Sequence, residues 1–180
     1  MNKLLIVVDM QNDFVTGSLA NPNVQAIIPN IVDKLKAKDY SYLIFTRDTH
    51  QKNYLETQEG KNLPVEHCIE GTKGWEIVPE LQEFTKNAFI VDKPSFGYKD
   101  WQKKLNELFD DENNQPGDFP EEIELIGTCT GICVQSNAVI LKSIYPEMPI
   151  SVDSKCCACL NEETHNAALT VMKTQQIFVK

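Results

Sequence analysis

Two cysteines four residues apart are the first side chains in the sequence that could do chemistry. Cys129 and Cys133 lie in the stretch IELIGTCTGICVQSNAVIL, where an apolar run ends in a turn and a helical pattern begins. The pair could be a redox couple, half of a metal site, two buried thiols, or a nucleophile beside an inert thiol. A redox couple is disfavoured because such pairs usually have the spacing C-x-x-C.

Cys133 lies in the first turn of the predicted helix, which favours a nucleophilic thiolate. Backbone N–H groups and the helix dipole stabilise negative charge at a helix N-terminus. The same N–H groups could hold the oxyanion of a tetrahedral intermediate. Taken alone, however, Cys133 is more readily explained as a structural thiol, because free cysteine is among the most buried residue types.

A second group of residues has the side chains of a metal site. Asp48 and His50, in FTRDTH, are two residues apart at the end of an apolar run, so both point to one side of an extended chain. With His67, in LPVEHCIEGTKG, they offer two imidazoles and one carboxylate, a common ligand set for first-row metals. By itself this pattern is weak evidence for a metal. The third histidine, His165, is predicted to be an ordinary surface or partly buried residue of a helix.

The elements that must position these residues alternate between strands and helices. Apolar runs rich in β-branched residues predict strands buried on both faces, at 3–9, 41–48, 88–93, 123–127, 149–154 and 175–180. Helical patterns separate most of them, at 23–38, 98–111, 133–145 and 161–174. The alternation predicts a three-layer α/β/α fold, in which helices cover both faces of a mostly parallel, Rossmann-like six-stranded sheet.

The predicted sheet brings ionisable residues to one edge. Parallel sheets bind ligands at the carboxyl ends of their strands. The strand ends predicted here are Asp9, Asp48 with His50, Lys93, the turn 127–133 and Asp153. Asp9 could accept the proton of the Cys133 thiol, and Lys93 could fix the charge and position of Asp9. This combination favours Cys133 as a nucleophile over a structural thiol.

Composition excludes several classes of protein. The 180 residues suit one domain, predicted to span 1–180, and a formal net charge of −9 disfavours general nucleic-acid binding. No apolar run approaches the roughly 20 residues that span a bilayer, and the N-terminal run lacks a cleavage site, so a cytoplasmic location is predicted. The six cysteines are then predicted to be thiols, with CCAC at 156–159 as small core residues in a turn. The acidic stretch 110–122 is predicted to be a polar surface loop.

Five motifs, in this order and spacing, resemble the nicotinamidase branch of the isochorismatase-like cysteine hydrolases. They are VVDMQNDF, FTRDTH, EHCIEGTKGWEI, VDKPSFGY and GTCTGICVQSNA, which together cover essentially the whole chain. The resemblance implies hydrolysis of nicotinamide to nicotinate and ammonia through a thioester on Cys133. Another small amide is the alternative substrate within the family. A non-catalytic binding module that retains the fold is the alternative from a different class.

The resemblance implies a role for each matching residue at the reacting centre. Asp9 matches the family's proton acceptor, Lys93 its lysine and Cys133 its nucleophile. Family members also have a cis peptide bond four residues before the nucleophile, which here would join Thr128 to Cys129 and help to form the oxyanion site.

The resemblance also implies a metal and a substrate pocket. Asp48, His50 and His67 match the ligands of a divalent metal, often zinc, with manganese or iron as alternatives. Glu59 is the candidate for a further ligand, ahead of Glu56.

Phe14 matches an aromatic residue that packs on the substrate ring. The segment NLPVEHC departs from the family pattern because it lacks the tryptophan that usually closes the pocket. Trp75 is not at the matching position, so Leu63 is predicted to cap the pocket instead. Family members are commonly oligomeric, so a homo-oligomer is expected.

Overall fold

A sheet of six parallel strands forms the centre of the part of the chain that the computed structural model describes, residues 2–109 and 119–180. The strands are β1 (Lys3–Val8), β2 (Tyr42–Asp48), β3 (Phe89–Lys93), β4 (Glu122–Thr128), β5 (Ile150–Ala158) and β6 (Phe178–Val179). Their order across the sheet is β3-β2-β1-β4-β5-β6, and every neighbouring pair is parallel. The predicted parallel sheet is therefore confirmed, and all six carboxyl ends lie at one edge.

Helices cover both faces of this sheet, which confirms the predicted three layers. They are α1 (Asn12–Val15), α2 (Pro22–Ala37), α3 (Gln58–Asn62), α4 (Gln82–Thr85), α5 (Trp101–Phe109), α6 (Gln135–Ile144) and α7 (Glu162–Thr174). The alternation of side chains along β1 shows the layering. Leu4 and Ile6 pack with α5, α6 and α7, whereas Leu5 and Val7 pack with α2. Within the described residues, no helix is both long and apolar enough to cross a membrane.

Local sequence signals explain where the two longest helices begin. The side chain of Asn21 accepts the backbone N–H of Asn23 at 2.9 Å, and Pro22 follows at the first position of α2, where its missing N–H has no cost. Asn161 forms a capping box with Thr164 at the start of α7.

The end of β5 differs from the prediction. The strand continues to Ala158 because its register with β4 shifts between Leu125 and Gly127, which leaves extra residues on β5. Asp153 consequently lies inside the strand, where it pairs with Lys34 at 2.8 Å, and it does not belong to the carboxyl edge as predicted. Cys156 and Cys157 belong to the strand, not to a turn as predicted, and Cys159 directly follows it. Residues 110–118 of the predicted acidic loop lie outside the described residues.

A disulfide joins Cys129 to Cys159, with 4.6 Å between their Cα atoms. The prediction that all six cysteines are thiols is therefore wrong for these two. Beyond the shift, β4 and β5 are in register up to Thr128 and Ala158, so the next residue of each strand faces the other. Because of the register shift, the proximity of Cys129 and Cys159 cannot be predicted from their positions in the sequence. The other cysteines, Cys68, Cys133, Cys156 and Cys157, are free thiols.

Candidate active site

The carboxyl edge of the sheet brings the predicted catalytic residues together. Lys93 and Asp48 are register partners at the ends of β3 and β2. Asp9 follows β1 in a left-handed conformation, φ 50°, which aspartate tolerates better than most residues. Its N–H donates to the carbonyl oxygen and to the hydroxyl of Thr46, both at 3.2 Å, so β2 holds the residue in place.

Lys93 is the centre of a fully buried cluster of charges. Its Nζ lies 2.6 Å from Asp9 Oδ2, 3.3 Å from Asp48 Oδ1 and 3.5 Å from Cys133 Sγ. It also donates to the Ser95 carbonyl at 3.1 Å. The Thr46 hydroxyl donates to the second carboxylate oxygen of Asp9 at 2.6 Å. One ammonium group therefore links the predicted base, the predicted nucleophile and a predicted metal ligand.

Burial decides the protonation of this cluster. It raises the pKa of the Cys133 thiol well above its usual value, and the negative charge of Asp9 raises it further while Lys93 opposes. The thiol therefore rests protonated, in contrast to the thiolate expected at a helix N-terminus. Burial also raises the pKa of Asp9 against the opposing charge of Lys93, which makes this carboxylate a stronger base than an exposed one.

Cys133 lies in a single π-helical turn, Thr130–Val134, and α6 begins only after it. The helix predicted to begin at Cys133 therefore opens with this wider turn, and regular α-helix begins two residues later, at Gln135. The carbonyl of Cys129 accepts the N–H groups of Ile132 and Val134 at 3.0 and 3.1 Å. The peptide bond between Thr128 and Cys129 is cis, where the resemblance implied one. These contacts aim the sulfur towards Lys93.

Asn137 and His165 hold the turn from outside. The Asn137 side chain donates to the carbonyl of Cys133 at 2.7 Å and accepts the indole N–H of Trp101 at 2.8 Å. His165 shares a hydrogen bond of 2.8 Å with the hydroxyl of Thr130, and it is partly buried, as predicted. Helices α5, α6 and α7 therefore all fix the position of the sulfur.

Four predicted ligands form the metal-site group: Asp48, His50, Glu59 and His67. All their candidate ligand atoms lie within 4.8 Å of one another. Asp48 Oδ2 is 3.0 Å from His50 Nε2 and 3.6 Å from His67 Nε2. Glu59 Oε1 is 3.6 Å and 3.8 Å from the same two nitrogens. Ligands about 2.1 Å from one metal ion lie roughly 3 to 3.5 Å apart, so the group fits a divalent ion.

Residues that the sequence did not single out keep these ligands in place. His67 Nδ1 lies 2.8 Å from the carbonyl of Val65, which leaves Nε2 to accept a metal. The buried side chain of Gln11 accepts the N–H of Asp48 at 2.7 Å and donates to its carbonyl at 2.8 Å. Tyr54, fully buried, packs on the rings of His50 and His67. In the sequence, the only sign of this supporting role is the polar Gln11 directly after the apolar strand in VVDMQNDF.

A cavity of about 460 Å³ joins the two groups. Cys133, Thr128 and Cys129 line it on one side, and Asp48, Glu59 and His67 line it on the other. Its apolar wall includes Phe14, Leu19, Val24, Leu63, Phe96, Ile132 and Leu160. The predicted pocket residues Phe14 and Leu63 thus both face it.

Trp75 is outside this wall. Its indole N–H donates to the hydroxyl of Thr49 at 2.8 Å, and the Arg47 guanidinium lies 3.6 Å above its ring. Trp75 therefore does not replace the tryptophan that the pocket lacks.

Comparison with known proteins agrees with this geometry. Residues 3–180 match the isochorismatase domain family. A nicotinamidase/pyrazinamidase of Mycobacterium tuberculosis is 28% identical over 194 residues, which cover 97% of this chain and 96% of the relative. The crystal structure of a nicotinamidase/pyrazinamidase from Bacillus subtilis, 26% identical, superposes with a TM-score of 0.83 over 99% of each chain.

A second structure carries information on the metal site. A pyrazinamidase of Pyrococcus horikoshii in complex with zinc has 26% identity and a TM-score of 0.76, with 100% of this chain and 99% of that chain covered. The match to the family spans nearly all of the sequence, and the relatives agree with the predicted branch. The chain therefore belongs to the isochorismatase family, in its nicotinamidase branch.

Proposed function

We propose that the protein is a metal-containing cysteine amidohydrolase that converts nicotinamide and water to nicotinate and ammonia. One observation carries the proposal: Cys133, which contacts the buried Lys93–Asp9 pair, lines the same cavity as Asp48, Glu59 and His67 of the metal-site group. The names of the relatives, nicotinamidase and pyrazinamidase, support an aromatic carboxamide as substrate.

The first half of the reaction forms a thioester. The Cys133 sulfur attacks the carboxamide carbon while its proton passes to Asp9, which contacts the same Lys93 ammonium as the sulfur does. Lys93 stabilises both the developing negative charge on sulfur and the carboxylate, since its ammonium contacts each. The tetrahedral intermediate collapses when the C–N bond breaks. Asp9 returns the proton to the nitrogen, which leaves as ammonia.

The second half of the reaction releases the acid. A water molecule takes the position vacated by ammonia and loses a proton to Asp9 as its oxygen attacks the thioester carbon. The C–S bond then breaks, the sulfur regains a proton, and nicotinate leaves. The turn from Thr128 through Cys129 to Cys133 lies beside the attacked carbonyl, so its backbone N–H groups are our candidates for the oxyanion site.

Asp48, His50 and His67 would hold a divalent metal, with Glu59 as a further ligand. Two imidazole nitrogens and two carboxylate oxygens suit zinc, which the Pyrococcus horikoshii relative binds, and manganese or iron are the alternatives. When bound, the metal would supply a Lewis acid that orients the substrate's ring nitrogen.

The apolar wall would bind the ring. Phe14 lies against His67, with 5.7 Å between ring centroids, and so presents an aromatic face beside the metal-site group. Leu63, held by a hydrogen bond of 2.9 Å from the Tyr54 hydroxyl to its carbonyl, would cap the opposite side. Because leucine closes the wall less than tryptophan would, another small amide is the second candidate substrate.

The proposal includes a cellular location and an oligomeric state. The four free thiols, Cys68, Cys133, Cys156 and Cys157, support a cytoplasmic location, where the Cys129–Cys159 disulfide would face a reducing environment. The exposed aromatic side chains Phe89 and Phe178, on the two outer strands of the sheet, support a homo-oligomer.

The test is release of ammonia from a panel of small amides, with and without a chelator. Wild-type protein should hydrolyse nicotinamide, Cys133→Ala should not, and chelation should suppress the reaction. Hydrolysis of another amide in preference to nicotinamide would select the second candidate. Release of ammonia by Cys133→Ala at the wild-type rate would refute the thioester mechanism. Equal metal content in wild type and His67→Ala would refute the ligand assignment.

A further inference from the structure

The disulfide between Cys129 and Cys159 forms part of the cavity wall beside Cys133. Cys129 precedes the π-helical turn, and its carbonyl accepts N–H groups from the residues on both sides of Cys133, at 3.0 and 3.1 Å. Any displacement of Cys129 therefore moves the turn that carries the sulfur of Cys133.

The pairing between β4 and β5 near this turn is short. After the register shift it consists of two residue pairs, Gly127 with Cys157 and Thr128 with Ala158. The Thr128 hydroxyl adds a hydrogen bond of 3.4 Å to the carbonyl of Ala158. The disulfide adds a covalent tie at the next position, where the turn leaves the sheet.

Cys159 also connects the turn to the opposite wall of the cavity. Its carbonyl accepts the side-chain N–H of Asn21, the N-cap of α2, at 3.1 Å. The Cys159 sulfur lies 3.7 Å from the position that a Cβ on Gly131 would take, so it packs against the turn itself. The disulfide thus joins the turn that holds the sulfur of Cys133 to the wall that would hold the substrate.

We propose that Cys159 is a positioning residue. Through its disulfide to Cys129 it fixes the turn that presents Cys133, and hydrolysis is faster with the bond intact than with the bond reduced. This inference rests on the proposed function, in which Cys133 is the nucleophile.

Reduction of the Cys129–Cys159 disulfide is a two-electron, two-proton reaction. A dithiol breaks the Sγ–Sγ bond by donating two electrons and two protons, so that Cys129 and Cys159 become thiols and the dithiol becomes a disulfide. Cys129 is partly buried and faces the cavity, so a reductant reaches the bond from the substrate side.

The first experiment compares the two states of the metal-loaded protein. A trialkylphosphine reduces the bond with one water molecule, becomes the phosphine oxide, and brings no thiol to the metal site. We expect kcat for ammonia release to fall about tenfold with a smaller change in KM, because a displacement of about 1 Å at a catalytic group costs up to about 100-fold. Reoxidation should restore the wild-type rate.

Matched variants separate positioning from general effects of reduction. Cys159→Ser should have the lower kcat permanently and should not respond to the phosphine. Cys156→Ser removes a buried free thiol from the same strand, and it should retain both the wild-type rate and the response. An equal kcat for the oxidised protein, the reduced protein and Cys159→Ser would overturn the proposal.

A second readout does not require an amide substrate. The rate at which iodoacetamide labels Cys133, located by tandem mass spectrometry, should fall several-fold on reduction, because the sulfur moves away from Lys93, whose ammonium lies 3.5 Å away and stabilises the reactive thiolate. If no form of the protein hydrolyses any amide, the proposed function fails, while the labelling rates still decide the positioning role. Equal labelling rates in both states would overturn that role on their own.

Discussion

Two buried clusters of charge lie on the same sheet, and the sign of the central group differs between them. At the carboxyl edge, one ammonium group, that of Lys93, serves Asp9, Asp48 and Cys133, and no atom of its side chain reaches solvent. Towards the amino end of β4, one carboxylate, that of Glu124, is surrounded by lysines.

The lysines of the second cluster remain in contact with water. Lys3 and Lys180 lie 2.9 and 2.7 Å from Glu124 Oε2, and Lys34 contacts Oε1. The Glu124 side chain is 1% exposed, but that of Lys180 is 47% exposed. The buried charge is thus fully paired and its partners are partly hydrated, an arrangement that stabilises a fold.

The difference teaches how to recognise a functional cluster. Around Lys93, desolvation is not relieved by contact with water, and the cluster includes a neutral thiol. Buried ionisable groups with strongly shifted pKa values concentrate at functional sites, so this cluster is the candidate for chemistry. Substitutions in the two clusters should therefore separate activity from stability.

The largest expected effect is on activity, from Asp9→Asn. The amide keeps the shape of the side chain and its contact with Thr46, but it cannot accept the proton of Cys133. We expect kcat to fall by about 10²–10⁴-fold, the usual contribution of a general base. Lys93 retains Asp48 as a partner, so the protein should remain folded and should bind metal as the wild type does.

Ammonia release and metal content of the same sample check this prediction. A variant that loses metal together with activity would place Asp9 in the metal site and not in proton transfer. Glu124→Gln is the matched control, since it also neutralises a buried carboxylate on the sheet, and it should keep the wild-type kcat.

The second effect is on stability, from the same Glu124→Gln substitution. Removing one partner of a buried ion pair costs about 3–5 kcal/mol. We expect the low end of this range, about 3 kcal/mol, because the lysines are partly hydrated and Lys34 and Lys3 keep Asp153 and Asp39 as partners. Denaturant unfolding of wild type and variant measures this loss. Glu107→Gln, which removes an exposed partner of Lys104 on α5, should leave the unfolding midpoint unchanged. A midpoint for Glu124→Gln equal to that of wild type would mean that the second cluster does not stabilise the fold.

The third effect is the acid dependence of that stability. Burial alone would raise the pKa of Glu124, but hydrogen bonds from Lys180, Lys34 and Lys3 outweigh it and lower the pKa from 4.5 to about 2. Because the folded pKa lies below the unfolded one, the carboxylate stabilises the fold above about pH 4.5. This stabilisation, about 3 kcal/mol, is lost as the pH falls towards 2.

Unfolding free energies at several pH values test this linkage. The difference between wild type and Glu124→Gln should be constant above about pH 5 and should shrink below it. A difference that persists at pH 2 would assign the effect to packing instead of charge.

The sequence allowed prediction of the carboxyl-edge cluster because simple rules govern it. Asp9, Asp48 and Lys93 each end a strand, and parallel strands place their ends together, so the motif positions and the strand pattern were sufficient. The Glu124 cluster was not predicted, because its lysines come from β1, α2 and the residue after β6, which nothing local relates.

Register explains the other two misses. Asp153 was assigned to the edge because the shift between β4 and β5 has no signature in the sequence. Cys129 and Cys159 were assigned as thiols from the predicted cytoplasmic location, and the shift that brings them together gave no sign against it. Side chains that act on backbone groups are equally hard to foresee. Gln11, whose side chain hydrogen-bonds both the N–H and the carbonyl of Asp48, is the example at the metal-site group.

The smallest expected effect concerns this support. Gln11→Met keeps the volume of the side chain but removes its hydrogen bonds to Asp48 and to the carbonyl of Trp75, at 2.9 Å. Loss of such outer contacts typically weakens metal affinity about 10–100-fold. Competition with a chelator measures it. Asn12→Ala, which removes an exposed hydrogen bond to Lys73, should leave affinity unchanged. If Gln11→Met lowers the free energy of unfolding but leaves metal affinity unchanged, Gln11 supports the fold as Glu124 does. Only the contacts of Lys93 would then distinguish the carboxyl-edge cluster from the Glu124 cluster by function.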